Sequence, residues 1–479
     1  MPTLTDADKV LRNDTGKAIV EKLETANALL ASIASGEGGI KLQSFKDLQY
    51  LTRLGLANKI LSIGSQIEVE RATETTATIG NDHGTAGITG ASVVRDTFLA
   101  KIGVAHNGDY EFTYDGAAWH FENEAVELID YGITATGTPA VGDEIVIHEK
   151  ATSILFDVIG IDCEEINDPQ FSHSVTLLAH DCFTSLQFDA REAFLAVIAD
   201  AGLAAGTYHF KVIQQPWYAG DVNKSFQFTL ANALPKGGQI VFDGAYNATL
   251  NNTTAKVYSG GSSAAVVETV TIIEGATGAD LGELGNAFNL TGSTVSLNSI
   301  QRAFLGSNRW KESALRQYLN SDKAAGSVWA PQNIWDRAPS WSANTAGFLN
   351  GMDLDFVSTL GEVKKRTALN TVCDGGGSEV LVEKVFLVSR SEVFGNFENS
   401  IEEGAVYPYY GADYSDYSSK NDGADSNRIK FRAGAAQYWW LRTCNSSNAI
   451  IERGVNPSGN IYISYSNYTG GVAPACVII

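Results

Sequence analysis

The side chains best suited to bind a metal or to move electrons and protons are five cysteines, Cys163, Cys182, Cys373, Cys444 and Cys476, and seven histidines. The cysteines are scattered and odd in number, with no C-x-x-C pair and no Cys/His cluster at zinc-ligand spacing. Buried free thiols and a Cys444–Cys476 bridge both fit them, and neither implies redox chemistry. His173 and His180 flank the apolar run SVTLLA and read as strand-end residues, and no Gly-x-Ser-x-Gly or His-Glu-x-x-His run occurs. Asp413, Asp416, Asp422 and Asp425 crowd one Gly/Ser-rich stretch without the ordered ligand positions of an EF-hand loop. The Glu-Pro-Asn and Gln-Pro-Asp tripeptides of calcium-dependent lectins are absent too. No catalytic residue, metal or other cofactor is therefore expected, although dispersed carboxylates facing a cleft leave a surface-glycan hydrolase as one alternative.

The chemistry the sequence does offer is noncovalent recognition. A rigid aromatic run, Tyr438-Trp439-Trp440-Leu441-Arg442, precedes a nearly uncharged stretch rich in Asn, Ser, Ile and Tyr. Tyr supplies large contact area at small entropy cost, and Ser and Asn adapt their hydrogen bonds, the combination found in paratopes. The candidate ligand-binding residues are Asn445, Ser447, Asn448, Ile450, Glu452, Asn456, Asn460, Tyr462, Ser464, Asn467 and Tyr468. Tyr409, Tyr410 and Tyr414 form a second cluster in an irregular stretch. Asn456-Pro457-Ser458-Gly459-Asn460 is a turn sequence, after which Ile461, Ile463 and Tyr465 should face one way and Tyr462, Ser464 and Ser466 the other. Trp439, Trp440 and Arg442 read as scaffold: adjacent tryptophans point to opposite sides of a strand, and Arg442 is expected to pair with a buried acid. An ordinary polar hairpin at a domain edge would use the same residues.

The elements that must hold this segment are mostly strands. Charged residues are 19% of the chain, aromatics 10%, and glycine is abundant at 47, which favours β-rich domains with many turns. A chain of 479 residues calls for roughly two to four domains. Apolar residues from Asp6 to Ile33 recur at helical spacing, and SFKDLQYLTRLGLANKIL reads as a second helix with Ser44 as its N-cap. Two later blocks resemble one another, each with Gly-x-Tyr-x-Phe, a Trp (Trp119 or Trp217) and a Gly-bounded Ile-Val strand, as if a small β module were repeated. Trp310, Leu315 and Leu319 share one helical face.

The expected organisation is an α+β, β-rich multidomain protein: an N-terminal helical assembly region at 1–70, a β module at 71–150, one domain built from 151–190 plus 286–479, and a β module inserted at 191–285. The net charge of -21 opposes nucleic acid and anionic lipid as partners. No run is apolar enough for membrane insertion, and the N-terminus has no secretion-signal h-region, so any exit from a cell is expected by lysis.

Four ordered blocks carry a resemblance: IGIDCEEINDPQFSHSVTLLAHD with FDAREA, GSNRWKESALRQYLNS, EKVFLVSRSEVFG, and YWWLRT with the closing GGVAPACVII. Together they resemble the C-type-lectin-like domain of unknown function found in phage and prophage tail-associated proteins. That domain is similar to the formylglycine-generating-enzyme variant of the lectin fold and to the variable proteins of diversity-generating retroelements. The resemblance implies a C-terminal C-type-lectin-like fold in a bacteriophage virion protein, made in the host cytoplasm, that acts in host attachment at a phage tail tip or fibre. It implies a bacterial surface glycan or protein and other phage structural proteins as partners, a homotrimer, and diversification of Asn codons between WWLRT and GGVAPA. The closely spaced cysteine pair of the formylglycine-generating enzymes has no counterpart here. A capsid decoration or baseplate subunit without its own receptor is the structural alternative.

Overall fold

The computed structural model describes residues 44–81, 87–102, 108–192, 194–196, 202–213, 219–236, 238–242, 249–259, 266–284, 288–289, 302–332, 336–411 and 427–479. The expected helix at Asp6–Ile33, Trp217, Tyr414 and the aspartates between Asp413 and Asp425 lie outside them. Two compact units emerge, Met1–His180 with Gly351–Val363 and Cys476–Ile479, and Asp181–Asn350 with Lys364–Ala475. The protein is a β-rich α+β multidomain chain.

The first unit opens with α1 (Phe45–Arg53), set by a capping box in which the Ser44 hydroxyl accepts from Asp47 N and the Asp47 carboxylate accepts from Ser44 N. Leu48 and Leu51 face inward, and Phe45 packs edge-on against Phe356 at 5.0 Å. The long strand β1 (Gln66–Asn81) follows, then β2 (Ile88–Val93), α2 (Arg95–Ile102), β3 (Gly108–Tyr114), β4 (Trp119–Phe121), β5 (Glu124–Val126), β6 (Ile133–Gly137), β7 (Glu144–Ile161) and β8 (Val175–Ala179). Within this unit the sheet order is closing strand (Ala475–Ile478), β8, β7, β3, β4, β5, with β1 also laddered along β7. Phe98, Tyr110, Phe112, Ile133, Ile145 and Ile147 share one core, with Phe112 directly opposite Ile145. β1 pairs with β7 continuously from Gln66 opposite Asp157 to Asn81 opposite Glu144, apart from two bulges. The boundaries read at 70/71 and 150/151 thus fall inside β1 and β7.

In the second unit, β9 (Thr184–Gln187) is followed by β10 (Phe194–Ala196), β11 (Gly206–Val212), β12 (Ser225–Leu230), β13 (Gln239–Phe242), β14 (Thr253–Tyr258), β15 (Val266–Glu274), β16 (Ala279–Leu284) and β17 (Phe288–Asn289). Strands β10 to β17 make a separate eight-stranded sheet around Phe210, Phe226, Phe228, Ile240, Val257 and Ile272. The two β modules are not wired alike. In the first, the Gly-x-Tyr-x-Phe strand β3 pairs with the Ile-Val strand β7; in the second, β11 pairs with β12 and β16, and Ile240 lies in β13 between β10 and β14. A shared local pattern of aromatic alternation therefore does not amount to a repeat.

The remainder of the second unit contains α3 (Ala314–Leu319), β18 (Val363–Ala368), β19 (Ser378–Glu383), β20 (Val385–Phe386), α4 (Arg390–Phe394), β21 (Lys430–Arg432), β22 (Ala435–Gln437), β23 (Trp439–Cys444), β24 (Ile451–Val455), β25 (Ile461–Tyr465) and β26 (Thr469–Val472). β9 pairs with β26, giving a five-stranded sheet in the order β25-β24-β23-β26-β9. Ser313 and Ser389 cap α3 and α4. Asp189, just after β9, accepts from Ser307 N and Ala314 N at 2.9 and 3.2 Å, which ties the entrance of the β10–β17 module to α3. No disulfide joins any of the five cysteines; Cys182, Cys444 and Cys476 are buried, and Cys163 is exposed.

Candidate recognition surface

The floor of the surface is β23, every residue of which is buried. The two indoles are anchored on different neighbours: Trp439 Nε1 donates to Arg428 O and Trp440 Nε1 to Leu186 O, both at 2.9 Å. Both rings are scaffold, and neither reaches the display face. Gly470 and Gly471 exist for close approach. A Cβ at Gly470 would meet the Trp440 ring at 2.6 Å, and one at Gly471 would meet Cys182 Sγ at 2.5 Å.

Beneath the sheet lies a charged network. Arg442, fully buried, donates to Glu392 Oε2 at 2.6 Å and Oε1 at 2.9 Å, and to the carbonyls of Leu387 and Glu403 at 2.8 and 2.9 Å. Lys365 Nζ adds a third contact to Glu392 at 3.1 Å, and Ser389 N a fourth at 2.8 Å. Burial pushes against ionisation of Glu392, yet Arg442 and Lys365 hold its carboxyl down at about 2. Glu403, beside it, accepts from Ala368 N and from the Thr443 hydroxyl. Burial dominates there and raises its carboxyl to about 7. A second knot fixes the first loop of the surface: Glu398 accepts from Arg390, Arg453, Ser446 N and Ser446 Oγ at 2.7 to 3.0 Å.

On this base stand the loop 445–450, the hairpin turn 456–460 and β25. Many of the polar side chains shape their own loops. Asn445 Oδ1 accepts from Ser447 N and Oγ, Asn448 Oδ1 from Ile450 N, and Asn456 Oδ1 from Ser458 N and Asn460 N, all at 2.9 to 3.0 Å. Gly459, at φ +80°, closes the turn. Ser447 is exposed, Asn445, Asn448, Asn456, Asn460, Ser464 and Asn467 are half-buried, and Gln187 donates to the Asn467 carbonyl.

What reaches solvent in quantity is aromatic. Tyr462 is exposed and its ring lies 4.6 Å from that of Tyr438; Tyr465 and Tyr468 are exposed and lie 5.3 Å apart, edge-on. Ile463 is exposed between the two pairs in sequence. Tyr438, Ile463 and Tyr465 are not among the candidates read from sequence. Tyr438 is hidden there by its place at the head of a run that is otherwise all buried, and the other two by an alternation that points them inward. β25 is an edge strand with neither side of its middle fully covered, so strict alternation fails; Ser466, beyond its end, is buried.

Three candidates are corrected. Ile450, 3% exposed, is pinned because its carbonyl accepts from Ser466 N and Oγ. Glu452 is fully buried, directly opposite Cys444 on the inner side of the β23–β24 ladder, where burial pushes its carboxyl well up. Tyr410, 1% exposed, is turned inward by the short helical turn Pro408–Tyr410. Tyr409 is half-buried with its carbonyl accepting from Asn427, and Tyr414 lies outside the described residues. Among the described residues no group of three or more His, Cys, Asp or Glu side chains is placed to hold a metal ion, and no helix is long and apolar enough to cross a membrane.

Searches of curated proteins and of solved structures find no match to the chain. A family model does match the part of the chain that carries most of this surface and its supporting charge network: residues 285–479 are similar to a domain of unknown function, DUF6273.

Proposed function

We propose that this protein is a phage virion component, at the tail tip or fibre, that binds a bacterial host-surface ligand through the face formed by β25 and its flanking loops. The observation that carries the reading is the pair of exposed tyrosine contacts, Tyr438 with Tyr462 and Tyr465 with Tyr468, held on a sheet whose underside is locked by Arg442 and Glu392. Rigid aromatic anchors over fixed backbone bind at low entropic cost. The virion context rests on the resemblance of the four sequence blocks, which also makes other phage structural proteins partners. Recognition is noncovalent, the ligand is a glycan or a protein, and several copies per particle turn weak single contacts into avid ones. Diversification of the C-terminal segment by a retroelement belongs to the same proposal.

The test is binding of the purified, fluorescently labelled chain to a panel of intact bacterial strains. Saturable binding to some strains, lost with Tyr462→Ala and Tyr468→Ala together, supports the proposal. Equal binding by the double variant, or no strain bound, sinks it.

A further inference from the structure

β25 is an edge without protection. Among the described residues it is paired with one strand only, β24, in a ladder that runs without a bulge from Ile451 opposite Tyr465 to Val455 opposite Ile461, and the carbonyl of its last residue, Tyr465, accepts from Tyr468 N. Natural edge strands are blunted by charge, proline or bulges, because free N–H and C=O groups otherwise recruit another strand. None of these devices is present here. The strand reads Ile-Tyr-Ile-Ser-Tyr, and no charged residue occurs after Arg453. Elsewhere the same protein does protect its strands: β1, which carries Glu68, Glu70 and Glu74, is interrupted by two register shifts.

We infer that β25 pairs antiparallel with β25 of a second copy, about a two-fold axis at Ile463. The sequence is self-complementary in that register. Ile463 lies opposite itself, Ile461 opposite Tyr465, and Tyr462 opposite Ser464, the aromatic and β-branched cross-strand pairs that stabilise sheets. Charge also selects this contact. Two chains of net charge -21 repel over most of their surfaces, and the run after Arg453 is where that repulsion is locally absent. A single five-residue strand makes a small interface, in the class below roughly 1,200 Å², so the dimer is weak and concentration-dependent.

Strand pairing uses backbone groups and leaves side chains on the two faces free. Two five-stranded sheets become one of ten, with both copies of Tyr462 on the same side. Resting on the recognition reading above, this makes the ligand-binding unit bivalent, with a two-fold arrangement in place of the trimer that the family resemblance implies.

Sedimentation equilibrium of the intact chain tests it. The mass should rise with concentration from that of one chain toward twice that value. Ile463→Lys, which places a charge on the edge, should hold it at one chain, while Val94→Lys, the same charge at an exposed position in the other unit, should leave association unchanged. In a Cys163→Ser background, Ile463→Cys should give a dimer on a denaturing gel that disappears with reductant. A monomer at every concentration, a trimer, or a dimer indifferent to Ile463→Lys overturns the inference. Cell binding separates it from the reading it rests on: chains that bind cells but never pair contradict the dimer alone, and chains that pair but bind no cell contradict the recognition reading alone.

Discussion

Arg442 and Glu392 form a two-pronged ion pair at 2.6 and 2.9 Å under the candidate recognition surface, and the same Glu392 carboxylate closes the capping box of α4 by accepting from Ser389 N. One side chain thus sets both the start of a helix and the position of the central strand β23.

Removing the cation should be costly. Arg442→Met leaves Glu392 buried with Lys365 as its remaining cation, and breaking a buried pair from one side typically costs about 3 to 5 kcal/mol. Urea denaturation should show a loss of that size, with the mutant midpoint far below that of the wild type.

Glu392 and Glu403 give opposite pH responses. Glu392 sits at about 2 in the folded chain, below its ordinary value near 4.5, so its contribution is present above about 4.5 and is lost as pH falls toward 2. Glu403 sits at about 7, above its ordinary value, so its contribution is full below about 4.5 and is lost as pH rises through 7. Thermal melts should therefore show greater stability at pH 5 than at pH 8. In Glu403→Gln that alkaline decline should shrink, by an amount on the order of 3 kcal/mol if no other group compensates.

Gly470→Ala should lower stability by about 1 to 3 kcal/mol, because its Cβ would sit 2.6 Å from the Trp440 ring, which is fixed by its bond to Leu186 O. Trp fluorescence during unfolding reads both the loss and the displaced indole.

Tyr462→Ala should separate binding from folding. The side chain is exposed, so the melting temperature should move little, while cell binding should weaken by tenfold or more. Binding isotherms and melts on one preparation check both halves.

Sequencing of codons 445–468 across a phage population should find variation concentrated at exposed positions such as Ser447, Tyr462 and Tyr468, with Ile450, Glu452 and Ser466 constant because they are buried. Adenine-restricted changes would mark retroelement diversification; uniform codons would favour a fixed adhesin or a structural subunit.

Local chemistry was readable in advance where one residue type has one physical use. Ser44 before a run of helical periodicity announces a helix start, and a lone arginine after two tryptophans announces a buried counter-ion. Positions whose environment is set by distant chain were not. Glu452 looks like a surface glutamate because nothing nearby reveals that Cys444 lies across the ladder from it. Asn445 and Asn456 look like recognition residues, but their side-chain oxygens are occupied in holding turns. Tyr438 and Tyr465 emerge as surface only once the strand edge is located.

The closing strand has a further consequence, for synthesis. It lies next to β8, about three hundred residues earlier in the chain, and Gly361 N and Ile479 N bond across to Val477 O and Thr359 O. The first unit therefore cannot finish folding until residue 479 has left the ribosome, a long-range closure of the kind that slows folding. Any premature stop between Asn445 and Tyr468 would also deprive the first unit of its last strand. Such truncated chains would be left with an incomplete first unit, so that frame and length are inspected at the level of folding, whatever side chains stand at exposed positions such as Ser447, Tyr462 and Tyr468.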